Sequence, residues 1–161
     1  MSQHLTSALL WFSAVGCGLL AGVYFAFSAF IMTALGRVDQ AAGIAAMNAI
    51  NVVIYRSLFM PFFFGTTLAA AALVVLALFR LGEPGAIATL TGGVVYVLGM
   101  FVVTMVFNVP LNDALAGVDP TTGQAADLWA RFRRDWTFWN HVRTISSAAA
   151  LTFFVTALAV K

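Results

Sequence analysis

Two segments of this sequence hold most of the side chains that could do chemistry. The first is Asn108-Val-Pro-Leu-Asn112, in which two asparagines flank a proline at the end of an apolar run. Proline ends helices and frees backbone carbonyls, and each asparagine amide offers two donors and an acceptor. The segment predicts a helix break at a membrane boundary with hydrogen-bonding groups beside it. Because asparagine and proline also stop ordinary helices, this segment alone indicates little.

The second segment, residues 129–144, combines aromatic rings with cationic and amide groups, and it holds three of the four tryptophans. On a continuous helix, a single stripe at 4-3-4-3-4 spacing would run from this segment into the apolar run that follows. The stripe consists of Trp129, Arg133, Trp136, Asn140, Arg143 and Ser147.

Two explanations compete for this second segment. A belt of aromatic and snorkelling arginine side chains at the membrane interface accounts for Trp139 and Arg131, and for Trp136 on the stripe. It does not suit Asn140, His141 and Arg143, which stand at the start of an apolar span. Polar and ionisable groups inside a membrane usually face a bundle interior or a cavity, so these three are candidate functional residues.

No metal site is predicted. The two histidines, His4 and His141, are expected on opposite sides of a membrane. The sequence has no His-x-x-x-His, no cysteine pair and no Glu-x-x-His, so it shows no zinc, copper or di-iron ligand set. A single bond between His141 and a haem is left open.

The composition indicates the elements that must position these residues. The chain of 161 residues is 62% hydrophobic and 9% charged, with a mean hydropathy of +0.97. A soluble domain is about 45–50% apolar and about 25% charged. The composition therefore excludes a soluble enzyme, a nucleic-acid binder and a disulfide scaffold.

Four apolar runs are each long enough to cross a bilayer, which takes about 20 residues. They predict spans at about 5–35, 57–79, 86–107 and 139–160. The predicted fold class is all-α, an integral membrane four-helix bundle forming a single domain over residues 1–161. Short amphipathic helices are expected in the two long connections, one capped by Asp39 and one beginning near Gln124. For the first of these helices the sequence leaves three possibilities: it lies at the membrane interface, it folds back onto the bundle, or it is a solvated connector.

Small residues recur every four positions in the first span, at Ala14, Gly18, Gly22 and Ala26. Such a strip lets two helix backbones approach closely in lipid. Packing within one bundle is the simpler explanation, and a homo-oligomer is left open. We expect large side chains at Gly18 and Gly22 to destabilise the fold.

The distribution of arginine and lysine predicts an orientation by the positive-inside rule. The two long connections carry Arg37, Arg56 and four further arginines, whereas the opposite side carries only Arg80 and Lys161. A multi-pass protein with both termini on the same, extracytoplasmic side is therefore expected. The candidate residues would then lie at the cytoplasmic edge of the bundle.

Four stretches together resemble a family of small four-span membrane proteins. They are Gly22-Val-Tyr-Phe-Ala-Phe-Ser28, Met47-Asn-Ala-Ile-Asn51, Asn108-Val-Pro-Leu-Asn112 and Trp136-Thr-Phe-Trp-Asn-His-Val-Arg-Thr144. The family includes the fungal anthrone oxygenases, and many of its members are known only as a domain of unknown function. The resemblance covers nearly the whole chain and implies the four-span fold.

The resemblance also implies an activity, the cofactor-independent oxygenation of an anthrone-like or other polycyclic phenolic compound to a quinone. The partners would be a hydrophobic aromatic molecule, O2 and the lipid bilayer. Such an enzyme needs a base, donors where negative charge develops and an aromatic-lined pocket. In this scheme His141 is the base, and Arg143 and Asn140 stabilise the oxyanion. The residues expected to bind the substrate are Tyr24, Asn51, Asn108, Asn112, Trp136 and Trp139.

These expectations make one geometric prediction. Asn108, Asn112, Asn140, His141 and Arg143 should converge on one cavity, closed from the first connection by Asn51, with Asn112 and Arg143 in direct or one-water contact. The alternative function is non-catalytic, a small membrane protein that binds a lipid, a quinone, a haem or a partner complex through the same aromatic and polar pocket.

Overall fold

The structure is a computed structural model that describes residues 3–160 of the chain, and every regular element within them is helical. Five helices follow one another. They are α1 (Gln3–Leu35), α2 (Gln40–Ile54), α3 (Phe59–Leu78), α4 (Ala86–Ala116) and α5 (Gly123–Ala159). All except α2 are long and apolar enough to cross a membrane. The predicted all-α fold with four spans is thus confirmed, and the protein is an integral membrane protein that crosses the bilayer several times.

The four long helices form a ring in which each packs against two neighbours. Helix α1 packs against α3 and α5, and α4 packs against the same two helices. We refer to the buried cluster between these four helices as the lower core. It contains large side chains with almost no exposure, among them Leu73, Tyr96, Met100 and Phe154. With 37 residues, α5 is about 55 Å long, so it extends well beyond a hydrocarbon layer of about 30 Å.

Helix α2 folds back onto this extension of the bundle, which decides among the three possibilities left by the sequence. The Asp39 carboxylate begins the helix by accepting from the backbone N–H of Ala41 at 3.1 Å, as predicted for its cap. Ile44 and Met47 are buried against side chains of α4 and α5. Asn48 adds a hydrogen bond from its amide to the Leu115 carbonyl, at 3.4 Å.

Helix α4 does not break at Pro110, contrary to the prediction. It continues to Ala116 because two π-helical turns, Val97–Val102 and Thr104–Asn108, change the hydrogen-bond register before the proline. The N–H of Val109 donates to the Thr104 carbonyl, five residues earlier. Pro110 then falls in the first turn of the next α-helical segment, Val109–Ala116, where a missing N–H breaks no bond.

The strip of small residues is also only partly where it was expected. Gly18 is half-buried, and a Cβ added there would lie 3.6 Å from Leu151, an ordinary contact. Gly22 is exposed, with nothing within 4 Å of an added Cβ. The close approach occurs instead at Gly16, where an added Cβ would overlap the side chain of Thr66 on α3. The strip is rotated outward, so the prediction for Gly22 is wrong.

We therefore expect opposite results from Gly16→Ala and Gly22→Ala. The first forces α1 away from Thr66 and should lower the free energy of unfolding by about 1–3 kcal/mol. The second should leave stability unchanged or raise it, because alanine is favoured over glycine in a helix. Thermal unfolding of the two purified variants in the same detergent checks this. A Gly22→Ala protein that is less stable than the Gly16→Ala protein would contradict the orientation of α1 in which Gly16 faces α3 and Gly22 faces outward.

Candidate functional site

A cavity of about 180 Å³ lies where α2 ends and α3 begins. Every helix contributes to its wall. The lining includes Tyr24 and Phe27 from α1, Asn51 from α2, Phe63 from α3, Asn112 from α4, and Trp136 from α5. Most lining side chains are aliphatic or aromatic, and a few polar groups converge among them, as in a typical small-molecule site.

Arg143 is the one charged residue among the described residues that line this cavity. It is only 5% exposed. Its guanidinium carbon lies 4.4 Å from the centroid of the Tyr24 ring and 5.0 Å from the Trp136 ring, so the cation is held between two aromatic faces. None of the salt bridges within residues 3–160 includes Arg143. The cavity therefore contains a positive charge without a carboxylate beside it.

Asn140 holds Arg143 in place from behind the cavity. Its side-chain carbonyl accepts a 2.7 Å hydrogen bond from Nη2 of Arg143. Its amide nitrogen donates to the Tyr24 carbonyl at 2.7 Å and to the Ser28 hydroxyl at 2.6 Å. Because the amide is saturated by these bonds and is fully buried, Asn140 is a positioning residue that connects Arg143 to α1.

Two π-helical turns carry residues that contact the site. Ser28 lies in the turn Phe27–Ile31 of α1. Thr104 begins the turn Thr104–Asn108 of α4, and its hydroxyl accepts a long, 3.5 Å hydrogen bond from Nη1 of Arg143. Asn108 ends the same turn and donates to the Trp136 carbonyl at 3.2 Å. π-Helical turns are often found at functional sites because they redirect side chains within a continuous helix.

Several polar atoms around the cavity have no partner within residues 3–160. Asn112 leaves its side-chain oxygen unbonded, and Asn51 leaves its amide nitrogen unbonded. The indole nitrogen of Trp136 and Nε of Arg143 are also without a partner there. Unpaired buried polar groups are costly. Three donors and one acceptor are thus left unpaired in residues that line the cavity, and each of these atoms has almost no accessible surface.

The structure brings five of the predicted residues to the cavity wall: Tyr24, Asn51, Asn112, Trp136 and Arg143. Asn108 and Asn140 are buried behind it. Asn112 and Arg143 form no direct hydrogen bond, because Arg143 donates to Asn140 and Thr104, and the predicted contact through one water stays a prediction.

His141 and Trp139 do not reach the cavity. His141 is exposed, because each step along a helix turns by about 100° and Asn140 and Arg143 occupy the inward face. A haem bound through His141 would therefore lie on the outer surface of α5. Trp139 is half-buried and stacks on Phe107, with ring centroids 3.6 Å apart. The prediction that His141 converges with the other residues is therefore corrected.

Thr104 and the aromatic wall formed by Phe59 and Phe63 of α3 line the cavity and were not predicted from the sequence. Thr104 could have been found, because it is a polar residue in an apolar run, four positions before Asn108. The phenylalanines carry no such signal among fifteen in the chain. Within residues 3–160, no group of three histidine, cysteine, aspartate or glutamate side chains could hold a metal ion.

Asn140→Ala should destabilise the protein strongly, and the neighbouring substitution His141→Ala should not. The first removes one amide and leaves Arg143, the Tyr24 carbonyl and the Ser28 hydroxyl short of partners, at about 1–3 kcal/mol each. The second truncates an exposed side chain, which changes stability by about 0.5 kcal/mol or less. Thermal unfolding in one detergent compares the two. Equal losses of stability would contradict the assigned orientation of α5.

Comparison with known families identifies one match. A family model described as anthrone oxygenase matches residues 53–153. The matched stretch contains α3, α4 and most of α5, including Asn108, Asn112, Trp136 and Arg143. Comparisons with curated proteins and with solved structures gave no match. Since the match covers more than half of the chain and agrees with the resemblance seen in the sequence, the chain belongs to the anthrone oxygenase family.

Proposed function

We propose that the protein is a membrane-embedded oxygenase that converts an anthrone-like or other polycyclic phenolic compound to a quinone without a cofactor. Membership of the anthrone oxygenase family supports this kind of function. The observation that carries the specific proposal is the buried, uncompensated cation of Arg143 between two aromatic rings in an apolar cavity. Such a site favours a flat aromatic molecule that becomes negatively charged.

The reaction of an anthrone requires such a charge. Removal of one proton from its CH2 group leaves an electron pair delocalised over both rings and the carbonyl oxygen. That pair forms a carbon–oxygen bond to O2, and the resulting peroxide takes up a proton. Loss of the second hydrogen from the same carbon, with cleavage of the oxygen–oxygen bond, gives the quinone carbonyl and releases water.

In this proposal Arg143 stabilises the oxygen that carries the negative charge. Electrostatic stabilisation by preorganised donors is worth most where water is excluded. The indole N–H of Trp136, the amide of Asn51 and the Asn112 carbonyl are buried and unpaired in the cavity wall, so a substrate that displaces neighbouring side chains would bring its oxygens and hydroxyl to them.

In this proposal interfacial water, and not His141, accepts the first proton removed from the CH2 group. The His141 side chain is exposed, and the described lining of the cavity includes no imidazole and no carboxylate. A general base must come within hydrogen-bond reach of the proton that it removes. Arg143 then promotes the step indirectly, because it lowers the free energy of the anion.

Oxygen uptake by the purified protein in lipid nanodiscs tests the proposal. With an anthrone as substrate, we expect one O2 to be consumed for each quinone formed, also after treatment with a metal chelator. Arg143→Lys should lower kcat by about 100-fold, as removal of a donor to a developing oxyanion does elsewhere, because a point charge does not replace a planar fork. His141→Ala should retain the wild-type rate.

Two controls make these results interpretable. Thermal unfolding shows whether Arg143→Lys remains folded, and quenching of tryptophan fluorescence by an anthraquinone shows whether it still binds an aromatic ligand. Binding by the wild-type protein without oxygen uptake would contradict the oxygenase and favour the non-catalytic alternative. A large loss of activity in His141→Ala would contradict the assignment of the proton to water.

We also propose that the end of the bundle carrying the cavity faces the cytoplasm and that both termini are extracytoplasmic. Arg37, Arg56 and the arginines at 131, 133 and 134 all belong to the cavity end, whereas Arg80 lies at the end where α1 begins. This excess remains when the buried Arg143 is left out, and positive residues favour the cytoplasmic side.

Single cysteines at Gly82 and Gly123, in a Cys17→Ala background, test this orientation. Both positions leave at least 4 Å of free space around an added Cβ. In whole cells a membrane-impermeant maleimide should label Gly82→Cys at once and Gly123→Cys only after permeabilisation. The reverse pattern would contradict the orientation, and labelling of both from outside would contradict the four-span arrangement itself.

A further inference from the structure

The cavity beside Arg143 is partly open to the surface of the bundle. Four of its lining residues are substantially exposed: Val23 at 38%, Phe64 and Met105 at 47%, and Tyr55 at 59%. We refer to these four residues as the mouth. Val23, Phe64 and Met105 belong to the membrane-spanning helices α1, α3 and α4, whose exposed apolar faces contact lipid. The mouth therefore faces the bilayer.

The opening exists because α2 and α3 are separated by a short break at residues 55–58. The Ser57 hydroxyl stabilises this break, donating to the Ile54 carbonyl at 2.8 Å and accepting from the Phe59 N–H at 3.2 Å. Tyr55 and Arg56 are exposed at the break. Tyrosine and arginine favour the level of the lipid headgroups, which places the mouth at the boundary between headgroups and hydrocarbon.

Both ends of the bundle are closed by packed side chains. Between the cavity and the cytoplasmic end, Ile44, Leu115 and Phe132 are fully buried in one cluster. On the other side of the cavity, Leu73 and Phe154 are fully buried in the lower core. A close-packed interior does not admit a molecule the size of an aromatic ring system without rearrangement. Access along the axis of the bundle is therefore blocked.

The size of the cavity also indicates that a large ligand extends into the mouth. An apolar cavity of about 150 Å³ holds one benzene ring. At about 180 Å³, this cavity is only slightly larger, so it does not enclose three fused rings. A polycyclic ligand with its polar end at Arg143 would leave its other end among Val23, Phe64 and Met105.

We infer that ligands enter and leave this site sideways, from the lipid, through the mouth formed by Val23, Tyr55, Phe64 and Met105. The polar end of the ligand reaches Arg143 first and deepest, and the apolar end stays in contact with lipid. Selection then acts on the polar end, while apolar substituents at the other end are tolerated. The inference rests on the proposed function for the identity of the ligand, whereas the entrance itself does not depend on it.

A cysteine inside the cavity reports on the entrance without reference to catalysis. Met47 lines the cavity and is 1% exposed, so Met47→Cys in a Cys17→Ala background provides the reporter. In proteoliposomes we expect lipid-soluble N-phenylmaleimide to label it. A charged, water-soluble maleimide present on both sides of the vesicle should react about tenfold more slowly or not at all.

Tryptophan substitutions then block the mouth. Val23→Trp with Met105→Trp should slow labelling by N-phenylmaleimide about tenfold, because the rate of access falls when the opening is filled. The matched control is Leu19→Trp with Val102→Trp, at exposed positions of the same two helices that do not line the cavity. This control pair should label at the rate of the reporter alone.

Either of two results would overturn the lateral entrance. One is labelling by the charged reagent as fast as by N-phenylmaleimide, and the other is an equal effect of the mouth pair and the control pair. Without the reporter cysteine, the mouth pair should lower kcat/KM for an anthrone about tenfold relative to the control pair. If labelling follows the expected pattern and the wild-type protein consumes no O2, the proposed function fails and the entrance stands.

Discussion

The structure depends on holding the charge of Arg143 inside a membrane-spanning bundle. A charged side chain at membrane depth is costly unless polar or aromatic groups surround it. Here the surroundings come from three helices: the Tyr24 ring from α1, the Thr104 hydroxyl from α4, and Asn140 and the Trp136 ring from α5 itself. Asn140 then donates to α1, so the contact between the two longest helices is built around the same charge.

The position of the cavity follows from a mismatch of lengths. Helices α1, α4 and α5 continue beyond the hydrocarbon layer, whereas α3 begins only at Phe59. Helix α2 folds back and fills the space next to the three extensions, but a separate helix cannot continue the axis of α3 without a break. The cavity lies behind that break.

Much of this arrangement could be predicted from spacing alone. The 4-3-4 pattern from Trp129 to Ser147 correctly identified the inward face of α5, because helical periodicity decides which residues share a face. The same rule turns His141, which is adjacent to Asn140 in sequence, about 100° away from that face. Other features depend on tertiary contacts that no local pattern encodes. The π-helical turns that carry α4 through Pro110 and the outward rotation of Gly22 are two such features.

The absence of a carboxylate next to Arg143 within the described residues separates this site from a structural ion pair. Had the bundle needed only to neutralise a buried arginine, an aspartate on α1 or α4 would do so, and the cavity would then hold no net charge to attract an anion. Asn140 instead accepts from the guanidinium without neutralising it, so the positive potential persists in the cavity. The two aromatic rings against the cation limit the loss from burial. An asparagine at this position thus preserves a charge that an aspartate would cancel, and in the proposed function this charge stabilises the anion that forms as the substrate reacts.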